Sequence, residues 1–259
     1  MRGKNTRLTS VSSAPPGTDP VERFILRLSS FAPLEPEARD ALRRAIIRGP
    51  LVPAYQELRG EVAADAIVLL SGWACHYQTL GNGKRQITSL VVPGDFVAFD
   101  FLAGSGAELQ YVTTGPSQFG RIRQRQFCEL AGQFPGIVQA ALKAAALETA
   151  ISRERLISLG LRTAIERLSH LICELWCRLS AAGLVGPHNS FLLPMTQVEL
   201  GAALGLSTVH VNRTLQTLRR QGIIGLNAGR VRIFDLDQLM ELASFDNGYL
   251  TGAPPRLHA

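Results

Sequence analysis

The residues with the clearest chemical potential lie in the last quarter of the chain and begin with a capping box. Thr196 is followed three positions later by Glu199, so the threonine oxygen can accept from the Glu199 amide while the glutamate bonds the Thr196 amide. Gly205 ends the short helix that this box starts, and Ser207 is a good N-cap for the next helix. Two short helices joined by a glycine turn indicate a helix-turn-helix unit.

The second helix of this unit has one apolar face and one polar face. Val211, Leu215 and Leu218 recur at intervals of four and three residues, and the small Gly201 of the first helix is expected to lie opposite Val211. The other face carries Val209, Asn212, Arg213, Gln216 and Arg220. Beyond this helix, an Asn-Ala-Gly-Arg turn separates two short apolar runs, so residues 223–234 are predicted to form a β-hairpin, here a wing.

Charge in this segment has a single sign. No acidic residue lies between Glu199 and Asp235, whereas five arginines do: Arg213, Arg219, Arg220, Arg230 and Arg232. Such a surface attracts phosphates by Coulomb forces and by the release of their counterions. Any single arginine is typical of a solvated surface, so the prediction depends on the whole set.

The composition of the whole chain leaves the partner open. It has 259 residues with 27 Lys or Arg and 21 Asp or Glu, a net charge of +6 and a pI near 9.5. This excess suits nucleic acid, anionic lipid or neither, so the position of the charges must decide. With 46% hydrophobic residues the chain can fold around a core. No stretch reaches the roughly 18 apolar residues of a membrane span, and the polar residues 1–20, a predicted flexible arm, lack the apolar segment of a secretory signal.

Cysteine and histidine usage argues against a disulfide framework and against a metal site. The cysteines are Cys75, Cys128, Cys173 and Cys177, too few and too scattered for such a framework, which predicts a reducing, cytoplasmic location. Cys173 and Cys177 share a helix face, but two thiols without further ligands are more typical of buried structural residues. His76 lies beside Cys75, and a lone histidine on a strand is usually structural, so no metal site is predicted.

The elements upstream change in character along the chain. Residues 21–47 are predicted to be helical in pieces that prolines interrupt. Between residues 51 and 119, short apolar runs alternate with glycine-rich turns, as in an antiparallel sandwich or barrel. The clearest runs are 66–70, 86–92 and 109–113.

A helical period begins at Phe134. Seven residues at alternating steps of four and three form a heptad seam: Val138, Leu142, Ala145, Thr149, Ser152, Leu156 and Leu159. The seam fits a helix that pairs with a second copy, and equally a helix packed on its own sheet. Gly160 is predicted to end this helix as a C-cap. A further helix comes next, with Ile165, Leu168, Ile172, Leu175 and Leu179 on one face.

From Leu193 to Phe234 the sequence resembles the Crp/Fnr family of bacterial transcription regulators, whose winged helix-turn-helix lies at the C-terminus. The matching runs are Thr196 to Ser207, Val209 to Leu215 and Leu218 to Ile224. Upstream, residues 51–133 look like the family's cyclic-nucleotide-binding β-roll. The residues that carry this likeness are Leu69-Leu70-Ser71-Gly72, Gly81-Asn82-Gly83 and Val92-Pro93-Gly94-Asp95-Phe96. By this resemblance the heptad helix would be the family's dimer helix.

The predicted fold is therefore α+β, with an N-terminal antiparallel β-roll of jelly-roll type, a long dimerisation helix and a C-terminal winged helix-turn-helix. The predicted bounds are a flexible arm 1–20, a sensor roll 21–133, a dimerisation helix 134–160, a DNA-binding domain 161–245 and a flexible tail 246–259. The resemblance implies double-stranded DNA, a second copy bound through helix 134–160 and RNA polymerase as partners, and no membrane.

The resemblance also makes residues 207–221 the recognition helix, placed in the major groove. Arg213 matches the family's base-reading arginine. Many members carry a glutamate where this chain has Val209 and His210, so its preferred half-site is expected to differ; a His210 that touches only the DNA backbone is an equal alternative. Asn212 is expected to contact a base or a phosphate, and the helix-end amides suit phosphate. The predicted DNA-binding residues are Ser207, Thr208, Val209, His210, Asn212, Arg213, Gln216, Arg219, Arg220 and Arg230.

We expect neither cyclic AMP nor an iron–sulfur cluster. Cyclic-AMP-binding members hold the phosphate with a Gly-Glu pair and an arginine after the Pro-Gly-Asp turn. Here Phe99 takes the place of the glutamate, and no Lys or Arg occurs between Arg85 and Arg121. A buried phosphate without a cation would suffer a large desolvation penalty. Members with a cluster hold it on grouped cysteines, and the N-terminal arm has none. The aromatic residues Phe96, Phe99 and Phe101 are expected to belong to the core.

Two other functions stay open at this point. A metal-dependent enzyme of the cupin type needs several histidines and a carboxylate on one metal, and the roll offers only His76, so no enzyme is predicted. A nucleotide-sensing module would use its winged helix for protein contacts instead of DNA. The sequence leaves open the effector, the operator and the choice between activation and repression.

Overall fold

The computed structural model describes residues 17–58, 65–99, 102 and 110–251. The described chain starts with two helices, α1 (Pro20–Phe31) and α2 (Pro36–Ala45). Each begins at a proline, whose missing N–H has no partner in the first turn of a helix anyway. Asp19 caps α1 by accepting from the amides of Val21 and Glu22. The prediction of helical pieces interrupted by prolines is confirmed, and residues 1–16 of the predicted arm lie outside the described residues.

A roll of two antiparallel sheets comes after these helices. One sheet has the order β1 (Ile47–Val52), β7 (Ser117–Ile122), β3 (Ala66–Ser71). The other has the order β2 (Glu57–Leu58), β6 (Tyr111–Thr113), β4 (Ala74–Thr79), β5 (Arg85–Val91). The described strand pairs are all antiparallel, which confirms the predicted β-roll. Of the predicted run 109–113, Leu109 lies outside the described residues.

The turn between β3 and β4 depends on a glycine. Gly72 has a φ of 84°, and a Cβ there would lie 2.3 Å from both the Pro116 carbonyl oxygen and the Ser117 Oγ. Only glycine combines this backbone conformation with such close neighbours. The Ser117 Oγ also accepts from the Trp73 amide at 3.1 Å, so the turn is bonded to the first residue of β7.

Three helices lead from the roll to the rest of the chain: α3 (Gln124–Gln133), α4 (Pro135–Leu161) and α5 (Ala164–Ala181). Helix α4 packs its own buried face, which includes Ile137 and Ala141, against the N-terminal part. None of the seven seam residues is buried, and Leu142 is 55% and Leu156 70% exposed. The seam therefore lies on the more exposed side of the helix, and the choice between a second copy and the chain's own sheet as its partner stays a prediction.

Helix α4 continues past Gly160, so the predicted C-cap at that residue is wrong. Gly160 has no positive φ, and the helix ends at Leu161 with Arg162 in an extended conformation. The start of helix α5 sets this end, because the amide of Thr163 donates to Glu166 Oε2 at 2.7 Å and begins a new helix there.

The C-terminal part is a winged helix-turn-helix. Its elements are β8 (Ser190–Leu192), α6 (Gln197–Leu204), α7 (Thr208–Arg220), β9 (Ile224–Asn227), β10 (Arg230–Ile233), α8 (Leu236–Leu242) and α9 (Gly248–Thr251). The strand order is β8-β10-β9, so the predicted hairpin is present and gains β8 as a third strand.

Helix α9 lies in the tail that the sequence predicts to be flexible from residue 246. The reason for its structure is aromatic packing: the Tyr249 ring stacks on His170 of α5 with centroids 6.0 Å apart, and Phe245 packs against the same histidine at 5.0 Å. Residues 252–259 lie outside the described residues. Among the described helices, none is long and apolar enough to span a membrane.

The hydrophobic core is shared between the roll and the C-terminal part. Cys75, Tyr77 and Leu90 of the roll belong to the same buried cluster as residues of α5, α6 and α7. At the edge of this contact, Gln86 Nε2 of β5 donates to the Ala202 carbonyl of α6 at 2.6 Å. The winged helix-turn-helix is therefore packed directly on the roll.

A second cluster joins helices α1 to α4 to strand β3. Phe96 is buried in it, with ring centroids 5.1 Å from Phe24 and 5.3 Å from Phe99. These two predicted aromatic core residues are thus found in or against the core, and Phe101 lies outside the described residues.

Candidate nucleic-acid interface

The turn between α6 and α7 fixes the angle of the predicted recognition helix. Gly205 is left-handed, with a φ of 64°, and its amide donates to the Gly201 carbonyl. A Cβ at Gly201 would lie 2.5 Å from the Leu206 carbonyl oxygen and 3.8 Å from Val211 Cγ2. Gly201 does lie opposite Val211, as predicted, but the nearer obstacle is the Leu206 carbonyl.

Both helices of the unit are capped as predicted. Thr196 Oγ1 accepts from the Glu199 amide at 3.2 Å, and Glu199 Oε2 accepts from the Thr196 amide at 2.6 Å. Ser207 Oγ accepts from the His210 amide at 3.3 Å. These bonds satisfy N–H groups that have no partner within the helix, so α6 and α7 start where the sequence predicts.

Helix α7 buries one face and exposes the other. Val211, Leu215 and Leu218 are buried in the shared core. All ten predicted DNA-binding residues are exposed: Ser207, Thr208, Val209, His210, Asn212, Arg213, Gln216, Arg219, Arg220 and Arg230. The first nine lie on α7 or its N-cap, and Arg230 begins the second strand of the wing. The structure thus brings the predicted residues to the outer surface of one unit, and their individual contacts stay predictions.

The five arginines of the acid-free stretch, which we call the arginine face, keep their charge uncompensated. Within the described part of the chain none of them forms an ion pair. Arg220 Nη2 only donates to Thr217 Oγ1 at 3.4 Å, and Arg232 lies over the Phe234 ring at 5.2 Å. By contrast, the exposed Arg125 on α3 pairs with Glu129 at 2.9 Å. The arginine face is therefore free to attract phosphates.

One residue that the sequence does not single out contacts the predicted set. The Gln197 Oε1 accepts from Asn212 Nδ2 at 3.2 Å. Gln197 is the first residue of α6, so the angle of the helix-turn-helix is the feature that brings the two amides together. Asn212 therefore approaches any ligand with one of its amide hydrogens already bonded.

A cavity of about 540 Å³ lies in the roll, between strands β4 and β5 and helix α4. Its lining includes Ser89, Phe99, Glu148 and Arg178. Ser89 Oγ donates to Glu148 Oε1 at 2.5 Å. Arg178 belongs to α5, far along the chain, so the absence of Lys and Arg between Arg85 and Arg121 does not leave this site without a cation.

The Arg178 guanidinium is already neutralised. Its Nη2 donates to Asp95 Oδ2 at 2.6 Å, and its Nη1 donates to Glu174 Oε1 at 3.1 Å. Burial alone would lower the Arg178 pKa, but these two carboxylates raise it above the ordinary arginine value. The cavity therefore contains a cation that is bound to two anions of the protein.

The four cysteines do not come together. Cys75 and Cys173 are buried, Cys177 is half-buried, and Cys128 is exposed on α3. Burial raises the pKa of the Cys75 and Cys177 thiols to about 12, so both stay protonated at neutral pH. Among the described residues, no group of three or more His, Cys, Asp or Glu side chains is placed to hold a metal ion. A four-thiolate iron–sulfur cluster does not fit these positions.

Comparisons with known proteins agree with the geometry. Residues 166–242 match the Crp-like helix-turn-helix domain. The chain is 30% identical over 184 residues to the transcriptional activator protein FnrL of Cereibacter sphaeroides, covering 69% of this chain and 73% of that protein. It is 29% identical over 200 residues to an anaerobic regulatory protein of Haemophilus influenzae, covering 74% of each. The solved structure of FixK2 from Bradyrhizobium japonicum aligns with a TM-score of 0.67 at 24% identity, covering 76% of this chain and 96% of that chain.

The fold has two parts. One is an antiparallel roll with a long helix, and the other is a winged helix-turn-helix with an exposed arginine face, which is the architecture of a nucleic-acid-binding domain. Together with these matches, the architecture shows that the chain belongs to the Crp/Fnr family. The resemblance found in the sequence is confirmed.

Proposed function

We propose that this chain is a sequence-specific DNA-binding transcription regulator that acts in the cytoplasm as a homodimer, with RNA polymerase as a further partner. The observation that carries the proposal is the arginine face, whose five exposed charges form no ion pair among the described residues. Such charges bind the DNA backbone, and an exposed polar helix of this size fits the major groove. The names of two relatives, an activator and an anaerobic regulator, support the same class.

The proposed complex assigns a different role to each end of the arginine face. Arg213 lies on the outward side of α7 and donates two hydrogen bonds to a guanine. Asn212, tethered to Gln197, contacts a base or a phosphate beside it. The N-terminus of α7 at Ser207 lies against one phosphate, and Arg230 on the wing contacts the backbone further along.

The proposed dimer forms through α4. Its seam leaves Leu142 55% and Leu156 70% exposed, and the small Ala145 and Thr149 between them allow two helices to approach closely. A second copy would remove these leucines from water. Twofold symmetry would then place the two α7 helices at half-sites of a palindrome about one helical turn, roughly 34 Å, apart.

The test begins with selection of bound duplexes from a random pool, which yields the operator. Arg213→Ala is then compared with the wild type on this operator and on one with the contacted guanine replaced. We expect Arg213→Ala to lose about 1–3 kcal/mol of discrimination, a factor of about 5 to 150. Arg125→Ala, which removes an exposed arginine from α3, is the matched control and is expected to leave the affinity unchanged.

Two outcomes would contradict the proposal at different levels. Unchanged affinity and discrimination in Arg213→Ala would refute the assigned base contact. A selection that enriches no specific sequence would refute the function itself and would favour a winged helix that binds protein.

We further propose that the roll does not bind cyclic AMP. Phe99 lines the cavity, and the cation there, Arg178, is held by Asp95 and Glu174. A phosphate would have to displace one of these carboxylates and leave it buried without its partner, which is costly. Titration calorimetry is expected to show no heat beyond dilution, and a micromolar affinity would refute this proposal.

A further inference from the structure

A chain of buried and partly buried charges joins the roll to the C-terminal part beside the apolar core. Its centre is Arg178 on α5, which is 3% exposed. The Nη2 of Arg178 donates to Asp95 Oδ2 at 2.6 Å and to the Leu90 carbonyl at 2.8 Å, and both acceptors belong to the roll. Its Nη1 donates to Glu174 Oε1 at 3.1 Å, one turn earlier in α5.

Two more arginines extend the chain in opposite directions. On one side, Arg27 Nε of α1 lies 3.9 Å from Asp95 Oδ1. On the other side, Arg155 Nη2 of α4 lies 3.6 Å from Glu174 Oε1, and Arg155 Nη1 donates to the Thr88 carbonyl of β5 at 2.6 Å. Positive and negative groups therefore alternate from α1 through the roll and α5 to α4.

Such a chain is sensitive to the loss of its central member. A complete buried ion pair contributes little net stability, but removing one partner leaves the other charge uncompensated at low dielectric. Without the Arg178 guanidinium, Asp95 keeps only Arg27 at 3.9 Å and Glu174 keeps only Arg155 at 3.6 Å. Helix α5 also loses its side-chain hydrogen bonds to Asp95 and to the Leu90 carbonyl of the roll. Loss of Arg178 therefore favours separation of the two parts over the docked arrangement.

We propose that Arg178 is a positioning residue that locks the winged helix-turn-helix onto the roll through Asp95. Helix α7 packs on α5, so the direction in which α7 faces relative to the roll depends on this contact. Arg178 and Asp95 also line the cavity of the roll, so the lock can be reached from that cavity. The lock does not depend on which DNA sequence is bound, and it is tested without DNA.

The chain carries its own reporter of this contact. Cys75 lies on β4 in the shared core and is fully buried. Residues of both parts cover its side chain, and burial raises the pKa of its thiol to about 12. We therefore expect a maleimide to modify Cys75 when the roll and the C-terminal part separate. Cys128 is exposed on α3 and serves as an internal standard for labelling.

The experiment measures the maleimide labelling rate of Cys75 relative to Cys128 in the full chain, by peptide mass spectrometry. In Arg178→Met, which keeps an apolar stem and removes the charge, we expect the rate to rise about tenfold or more. Hydrogen exchange of the paired strands β3 and β7 is expected to stay within about twofold of the wild type, because these strands lie within the roll.

A rescue variant tests the physical cause. Arg178→Lys removes the guanidinium but keeps a positive charge between Asp95 and Glu174. Labelling of Cys75 is expected to return to within about threefold of the wild-type rate. Arg43→Met, which removes an exposed ion-paired arginine from α2, is the matched control and is expected to change nothing.

Three results would overturn the proposal. The first is unchanged Cys75 labelling in Arg178→Met. The second is an equal loss of protection in β3 and β7, because Arg178 would then hold the roll together instead of docking the C-terminal part on it. The third is an Arg178→Lys variant that labels as fast as Arg178→Met, because loss of the positive charge would then not be the cause.

Discussion

Replacement of Gly201 by alanine sets two effects against each other. Alanine is favoured over glycine inside a helix such as α6 by about 1 kcal/mol. Its Cβ, however, would lie 2.5 Å from the Leu206 carbonyl oxygen. Overpacking costs about 1–3 kcal/mol, and we expect about 3 kcal/mol here because the obstacle is backbone and the turn itself must move. The net loss of about 2 kcal/mol lowers Tm by about 4–8 °C in a chain of this size.

The same substitution at Gly160 is expected to have the opposite sign. Gly160 lies inside α4 without a positive φ, and no atom lies within 4 Å of a Cβ built there. Gly160→Ala therefore keeps the helix gain of about 1 kcal/mol and raises Tm by about 2–4 °C. It is the matched control, since it adds the same methyl group to a glycine in another helix.

Thermal unfolding followed by circular dichroism, at one protein concentration for the wild type and both variants, measures these differences. A Gly201→Ala variant as stable as the wild type would refute the placement of the Leu206 carbonyl against α6. A destabilised Gly160→Ala variant would indicate that Gly160 has the left-handed C-cap conformation that the sequence predicts.

Three further variants probe the dimer, the junction between α4 and α5, and the cap of α7. Leu156→Glu is expected to convert the dimer into a monomer in sedimentation, whereas Leu80→Glu on the roll hairpin leaves it a dimer. If both variants have the same oligomeric state, the heptad seam is not the dimer interface. The Glu154 pKa is lowered, first by its bond to His170 and then by Arg162. The ionised Glu154 carboxylate therefore stabilises the fold fully above the ordinary glutamate pKa, and this stabilisation is lost as the pH falls through the lowered pKa. We expect the wild type to unfold at a higher temperature than Glu154→Gln at about pH 6 and to lose that advantage below about pH 4. Ser207→Ala is expected to cost about 1 kcal/mol in thermal unfolding, and Thr208→Ala, without a cap bond, much less.

The helix-turn-helix could be predicted because its signals are local. The capping box of Thr196 and Glu199, the N-cap at Ser207 and the left-handed Gly205 are each decided by residues within four positions. The apolar runs predicted the strands of the roll in the same way. Their order in the two sheets required the structure, because pairing joins distant segments.

Contacts across long sequence separations could not be predicted. Arg178 bonds Asp95 over 83 residues, and Gln86 bonds the Ala202 carbonyl over 116. The local sequence around each of these residues does not predict its hydrogen-bond partner, because the packing of the whole chain determines which residues meet. The error at Gly160 has a different cause: a glycine is a common helix end, but the bond between Thr163 and Glu166 sets the end of α4 instead.

The core shared by the roll and the winged helix limits how this protein can be divided. Trp73 and Leu90 on one side and Leu175, Phe191 and Leu204 on the other lie in one apolar cluster. A fragment that begins at α5 would present to water the apolar surface that the roll residues of this cluster cover, and it would associate with itself. A chimera that places this winged helix on another sensor must therefore carry a matching apolar surface, because the two halves are built as one body.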